Sequence, residues 1–102
     1  MKDAYLIAYD ITDDKLRAKT ANKLIYYGLE RVQFSVFIGT IRVKNLLAFK
    51  LWYQKTILTL ASPNDSLMIL PLSIGQVRSI EVIGHNALDL DYLTDQKHTL
   101  IL

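Results

Sequence analysis

Ala4-Tyr5-Leu6-Ile7-Ala8-Tyr9-Asp10-Ile11-Thr12-Asp13-Asp14-Lys15 is the stretch on which the fold turns. An apolar, aromatic-rich run ends on an acid, and two more acids and a basic segment follow. The run reads as a buried strand bounded by a polar break. Asp10 therefore stands where a strand leaves its sheet, held firmly yet open to solvent. Two readings of Asp10 follow. It starts the turn and caps the next helix, as Asp often does, or it is a functional carboxylate at a strand end.

Downstream, Asp13 and Asp14 suit a helix N-terminus, with Thr12 or Asp13 as the cap. The helix is expected over 14–27. Leu16, Thr20, Leu24 and Tyr27 form one stripe, and Lys15, Lys19 and Lys23 repeat on another, with Arg17 beside them. Gly28 is the expected stop. Residues 29–41 alternate as strand, either one long strand or two joined tightly near 33–35. Gly39 marks a bulge or a close backbone approach.

A second helix is expected over 43–60. Val43, Leu47, Leu51, Gln54 and Leu58 trace one face, and Phe49, Trp52 and Tyr53 lie largely off it. That makes it either a thick core helix or one with a partner contact through Trp52 and Tyr53. Ser62-Pro63-Asn64-Asp65 is a turn. Leu67–Leu72 reads as a strand buried on both faces, with Pro71 at an edge or an end. Residues 77–83 read as a further strand, and Thr99–Leu102 as a short one at an edge. His85 and His98 are read as lone surface residues.

Strand–helix–strand units place parallel strands side by side through right-handed crossovers. Both helices then cover one sheet face. The first strand is apolar on both faces, so the bare face calls for a cover, and a second copy of the chain supplies it. Any residue near such a two-fold axis appears twice.

Composition narrows the function classes. The 102 residues suit one domain, and 51% of them are hydrophobic, a high share for so small a core. There is no cysteine, which removes disulfides and thiolate chemistry and fits a cytoplasmic setting. No apolar run approaches the ~18 residues of a membrane span, and the N-terminus lacks the form of a secretion signal. Residues 1–61 carry ten basic side chains against five acidic ones, and residues 62–102 carry two against five. A basic body suits a polyanion, and an acidic tail repels it or meets a basic protein.

Tyr9-Asp10-Ile11-Thr12-Asp13-Asp14-Lys15-Leu16-Arg17, followed by Gly28-Leu29-Glu30-Arg31-Val32-Gln33-Phe34-Ser35-Val36-Phe37-Ile38-Gly39, resembles the CRISPR-associated adaptation protein family Cas2. The Leu67–Leu72 run and the segment ending Glu81-Val82-Ile83-Gly84 follow in that family's order and spacing, so the resemblance covers roughly residues 4–84. It implies an α+β, ferredoxin-like βαββαβ sandwich with an additional C-terminal strand, homodimeric through the open sheet face. Residues 1–84 would form that domain, and 85–102 a tail packed on the dimer or used for a partner.

The resemblance also implies a subunit of CRISPR spacer acquisition that binds duplex DNA with the CRISPR integrase subunit. A magnesium-dependent endonuclease activity on RNA or DNA goes with it. A non-catalytic scaffold and a stand-alone, toxin-like endoribonuclease are the alternatives. Asp10 falls on the family's strand-end acid, implied as metal ligand and catalytic residue with Mg2+. Tyr9, Arg17, Arg31 and Phe37 fall on positions linked with nucleic acid, and Lys15 and Lys19 extend that set along the basic helix. One departure stands out: where many members have an acid between Phe and Gly, this chain has Ile38.

Overall fold

Alternation along the first strand decides which side of the sheet each neighbour occupies. The computed structural model describes residues 2–84. They form β1 (Lys2–Asp10), α1 (Asp14–Tyr26), β2 (Glu30–Gln33), β3 (Val36–Arg42), α2 (Val43–Trp52), β4 (Ser66–Leu72) and α3 (Ile74–Arg78). A π-helical turn over Tyr53–Ile57 extends α2. The sheet order is β2-β3-β1-β4, with every neighbouring pair antiparallel. This is the expected ferredoxin-like βαββαβ arrangement. The strands joined through a helix are not side by side, which corrects the expectation. β3 lies between β1 and β2, and β1 lies between β3 and β4.

The helices take the odd side of β1. Ile7, Tyr9 and Ile11 pack with Leu16, Ala21 and Leu24 of α1 and with Leu46 and Phe49 of α2. Leu67 and Ile69, paired with Tyr9 and Ile7, join this core from β4. Removing so many apolar side chains from water supplies most of the drive to fold.

α1 begins where Asp13 Oδ2 accepts from the Leu16 N–H at 2.9 Å. It buries Leu16, Thr20, Ala21 and Leu24, as its stripe requires. Thr20 keeps its hydroxyl satisfied by donating to the Leu16 carbonyl at 2.9 Å. Gly28 ends the helix at φ +91°, a conformation that favours glycine.

β2 and β3 are two strands joined at Phe34–Ser35. An irregularity between Arg31 and Gln33 makes the tight join without a glycine. Gly39 serves close approach rather than a bulge. A Cβ there would lie 3.2 Å from the Leu29 Cα.

α2 turns its Leu46, Phe49, Tyr53 and Ile57 inward. Val43, Leu47, Leu51 and Leu58 are exposed. Tyr53 is therefore a core residue, and Trp52 is half-buried against Phe49, their ring centroids 5.9 Å apart. The Leu58 N–H donates to the Tyr53 carbonyl at 2.9 Å, the long i→i+5 bond of a π turn.

Tyr53 carries a cost. Its hydroxyl is buried with no hydrogen-bond partner among the described residues. Burial, and then the Asp65 charge, raise its pKa above the usual 10.0. A buried unsatisfied hydroxyl costs about 1–3 kcal/mol. Tyr53→Phe is thus expected to raise the melting temperature by about 4 °C or more at neutral pH. The raised folded pKa means that stability is full below 10.0 and is lost as pH climbs past it. The Phe variant should lose less stability there, which thermal melts across alkaline buffers would read.

Among the described residues β4 is an edge strand, so Pro71 needs no ladder donor on its outer side. It is not buried on both faces: Leu67 and Ile69 are half-buried, while Met68 and Leu70 are 57% and 47% exposed. The strand expected over 77–83 is also corrected, since Ile74–Arg78 is the short helix α3 and 79–84 carries no strand. Ser73 caps α3 reciprocally. Its Oγ accepts from the Gln76 N–H at 3.1 Å, and Gln76 Oε1 accepts from the Ser73 N–H at 2.8 Å. Val77 is fully buried on Ala4 and Ile38, with Ile80 beside it. The chain thus covers part of its second sheet face itself. The tail at 85–102, with His85, His98 and Thr99–Leu102, lies outside the described residues.

Candidate functional site

The even positions of β1 face away from the helices, and Asp10 is the last of them. It pairs with Ser66 of β4 and is exposed. On the same face, Ala8 and Leu6 lie opposite the exposed Met68 and Leu70. The carboxylate therefore sits at one end of the part of the sheet that α3 leaves open. Its backbone neighbour Tyr9 donates its N–H to the Ser35 carbonyl at 3.1 Å, which fastens the strand end to the β2–β3 turn.

The loop after Asp10 is held from two sides. Arg17 Nη1 donates to the carbonyls of Ile11 at 3.1 Å and Thr12 at 3.0 Å. Its Nη2 pairs with Asp14. From the far side, Asp65 Oδ1 accepts from the Thr12 N–H at 3.1 Å and the Thr12 hydroxyl at 2.8 Å. Asp65 Oδ2 accepts from the Ser62 N–H at 3.0 Å. Asp10 thus ends its strand directly before a loop clamped from both sides.

Asp65 was legible only as a turn residue, because its partner Thr12 is distant in sequence. Desolvation raises its pKa, but the hydrogen bonds from the Thr12 hydroxyl and the Ser62 and Thr12 N–H groups outweigh it. The net direction is below the usual 3.8. A lowered folded pKa gives stability that is full above about 3.8 and lost as pH falls through the lower folded value. Asp65→Asn should therefore flatten the acid limb of a melting-temperature profile relative to the parent. A profile of unchanged steepness would show that this carboxylate does not tie the loops together.

The other expected site residues divide. Tyr9 and Phe37 belong to the core, at 7% and 0% exposure, with ring centroids 6.2 Å apart. Phe37, which the family motif rather than the alternation singled out, is buried by the alternation of β3. Tyr9 is a packing residue on the same ground. Arg17 is the loop clamp just described.

Arg31, on edge strand β2, keeps an exposed side chain over the rings of Phe34 and Phe37, at 5.8 Å and 5.2 Å. Lys15 and Lys19 are exposed on α1. Their row starts at the Asp10 end of the sheet but runs over the helical side, so it does not encircle Asp10. Ile38, 1% exposed, packs with Ala4 and Val77. A carboxylate at that position would be buried among apolar groups and costly.

The donors within one chain are sparse. Among the described residues no group of three His, Cys, Asp or Glu side chains stands together. One exposed carboxylate does not make a metal site. Two, from two chains facing each other, would suit magnesium, which takes one or two carboxylates, substrate phosphates and several waters.

The family model for CRISPR associated protein Cas2 matches residues 3–80. The chain belongs to that family. Among Cas2 proteins, the CRISPR-associated endoribonuclease Cas2 3 of Synechocystis is 38% identical over 80 residues, 78% of this chain and 83% of its own. The CRISPR-associated endoribonuclease Cas2 2 of Pyrobaculum aerophilum is 58% identical over 36 residues, 35% of this chain. Here the chain spans only 40% of the relative's length. The crystal structure of Streptococcus pyogenes Cas2 superposes with a TM-score of 0.67, covering 79% of this chain and 99% of that one. At 24% identity this likeness speaks to the fold. Among the described residues no helix is long and apolar enough to cross a membrane.

Proposed function

We propose that the chain is the Cas2 subunit of CRISPR adaptation, acting in the cytoplasm as a homodimer that binds duplex DNA with the integrase. We assign to the same dimer a magnesium-dependent endonuclease activity on RNA or DNA centred on Asp10. The observation that carries the proposal is the position of Asp10, exposed at the end of a sheet face on which Met68 and Leu70 are also exposed. Burying those side chains against the same face of a second chain is favourable, and it would bring the two Asp10 carboxylates towards one axis. The relatives' names, endoribonuclease in Synechocystis and Pyrobaculum aerophilum, support the hydrolytic half.

In this reading the two Asp10 carboxylates would hold the ion. A bound magnesium ion would polarise the phosphoryl group and lower the pKa of a water. The chain's own work is positional. Arg17 and Asp65 hold the loop that follows Asp10, which fixes where the strand end meets an arriving phosphate. Arg31, Lys15 and Lys19 supply positive charge for the backbone. The scaffold reading keeps the DNA binding and drops the cleavage. The test is metal-dependent cleavage of RNA and duplex DNA by highly purified parent and Asp10→Asn proteins. Cleavage lost with the carboxylate supports the nuclease, and cleavage that survives removes Asp10 from that role.

A further inference from the structure

A groove of about 430 Å³ lies between α1 and the α2 extension, on the helical side of the sheet. Lys19, Asn22, Lys23, Tyr26, Trp52 and Thr56 line it. Lys23 Nζ stands 5.3 Å from the Trp52 ring centre, 5.4 Å from Tyr26 and 5.9 Å from Tyr27. The rings hold the ammonium at the groove, where its charge is available to an anion. Tyr26 remains 75% exposed, more than any packing role requires. Among the described residues no acidic side chain lines the groove.

We infer that this groove is a stacking site for an unpaired base of single-stranded nucleic acid, separate from Asp10. Its chemistry combines the two parts such a ligand needs: aromatic faces for a base and cations for its backbone. The cations continue beyond the groove. Lys15, Lys19 and Lys23 follow one another at four-residue steps, about 6 Å apart along the axis. This ladder suits a chain of phosphates leading from the strand-end loop into the groove. Asn22 and Thr56 offer hydrogen bonds to a base edge. A duplex keeps its bases stacked inside and cannot use the rings, so the site selects single strands.

Trp52 is the chain's one tryptophan, which makes the site self-reporting. Titrating the full chain with a short oligothymidylate should quench Trp52 emission. The same length of duplex and a polyglutamate should leave it largely unchanged. Tyr26→Ala should weaken oligothymidylate binding about tenfold, within the range for one lost base stack, and leave the salt slope unchanged. Lys23→Gln should reduce that slope by about 0.7. Asp10→Asn should keep the Trp52 quench by oligothymidylate, because Asp10 does not line the groove, so this site and the proposed nuclease centre fail independently. Equal quenching by duplex or polyglutamate, or undiminished affinity in Tyr26→Ala, would overturn the inference. Far-ultraviolet circular dichroism of each variant checks that the fold persists.

Discussion

Asp10→Asn is expected to reduce metal-dependent phosphodiester cleavage by more than about a hundredfold, because even groups that merely support a metal's ligands cost about 10–100-fold when removed. The fold should hold. Asp10 is exposed and ends its strand, and surface changes of this kind cost within about 0.5 kcal/mol. Duplex binding should persist or tighten, since a negative charge near the phosphates is removed. The proposed dimer allows a sharper test. If the ion needs both carboxylates, activity in mixtures of parent and variant chains follows the square of the parent fraction. If each chain's carboxylate works alone, activity follows the fraction itself. A linear dependence would refute the shared site even where the variant alone is inactive. Full cleavage by Asp10→Asn, or cleavage insensitive to a chelator, would leave the scaffold reading.

The first strand, α1 and a cap at Thr12 or Asp13 were legible because each rests on local chemistry. Two-residue alternation, a three-to-four-residue stripe and an Asp before an acidic first turn all act over short range. The ferredoxin-like order follows from the sequence of elements and from the motifs at 9–17 and 28–39. Local signals misled at 77–83. The alternation there mixes Val77 and Ile83 with Ser79 and Glu81 on one face, which is not a two-sided pattern. The capping pair Ser73 and Gln76, three residues apart, was the stronger signal and prevailed.

For the candidate site, Asp10 was legible as a strand-end acid, but which sheet face it takes depends on pairing with β3 and β4. The Thr12–Asp65 tie was not legible at all. It joins loops that the chain brings together only after the sheet has formed. Arg17 illustrates the opposite case. Its residue type suits phosphate, and only the positions of the Ile11 and Thr12 carbonyls show that its fork is already engaged.

Phe37 separates packing from recognition most directly. It is fully buried between Tyr9 and the β2 edge, with the Arg31 guanidinium 5.2 Å above its ring. Truncation of a buried Phe costs about 3–5 kcal/mol, a large share of the roughly 5–15 kcal/mol that a domain of this kind has in total. Phe37→Ala should therefore lower the melting temperature by about 15 °C or more. Phe37→Leu keeps most of the volume and should cost less than about 1.5 kcal/mol. The two variants give different answers on function. A core residue predicts that Phe37→Leu binds duplex DNA as the parent does, apart from a small loss where Arg31 no longer rests on an aromatic face, about 0.5–1 kcal/mol. A contact residue predicts that Phe37→Leu melts normally and fails to bind. Measuring melting and binding on the same samples decides between them, because only the second outcome would return Phe37 to the nucleic-acid surface.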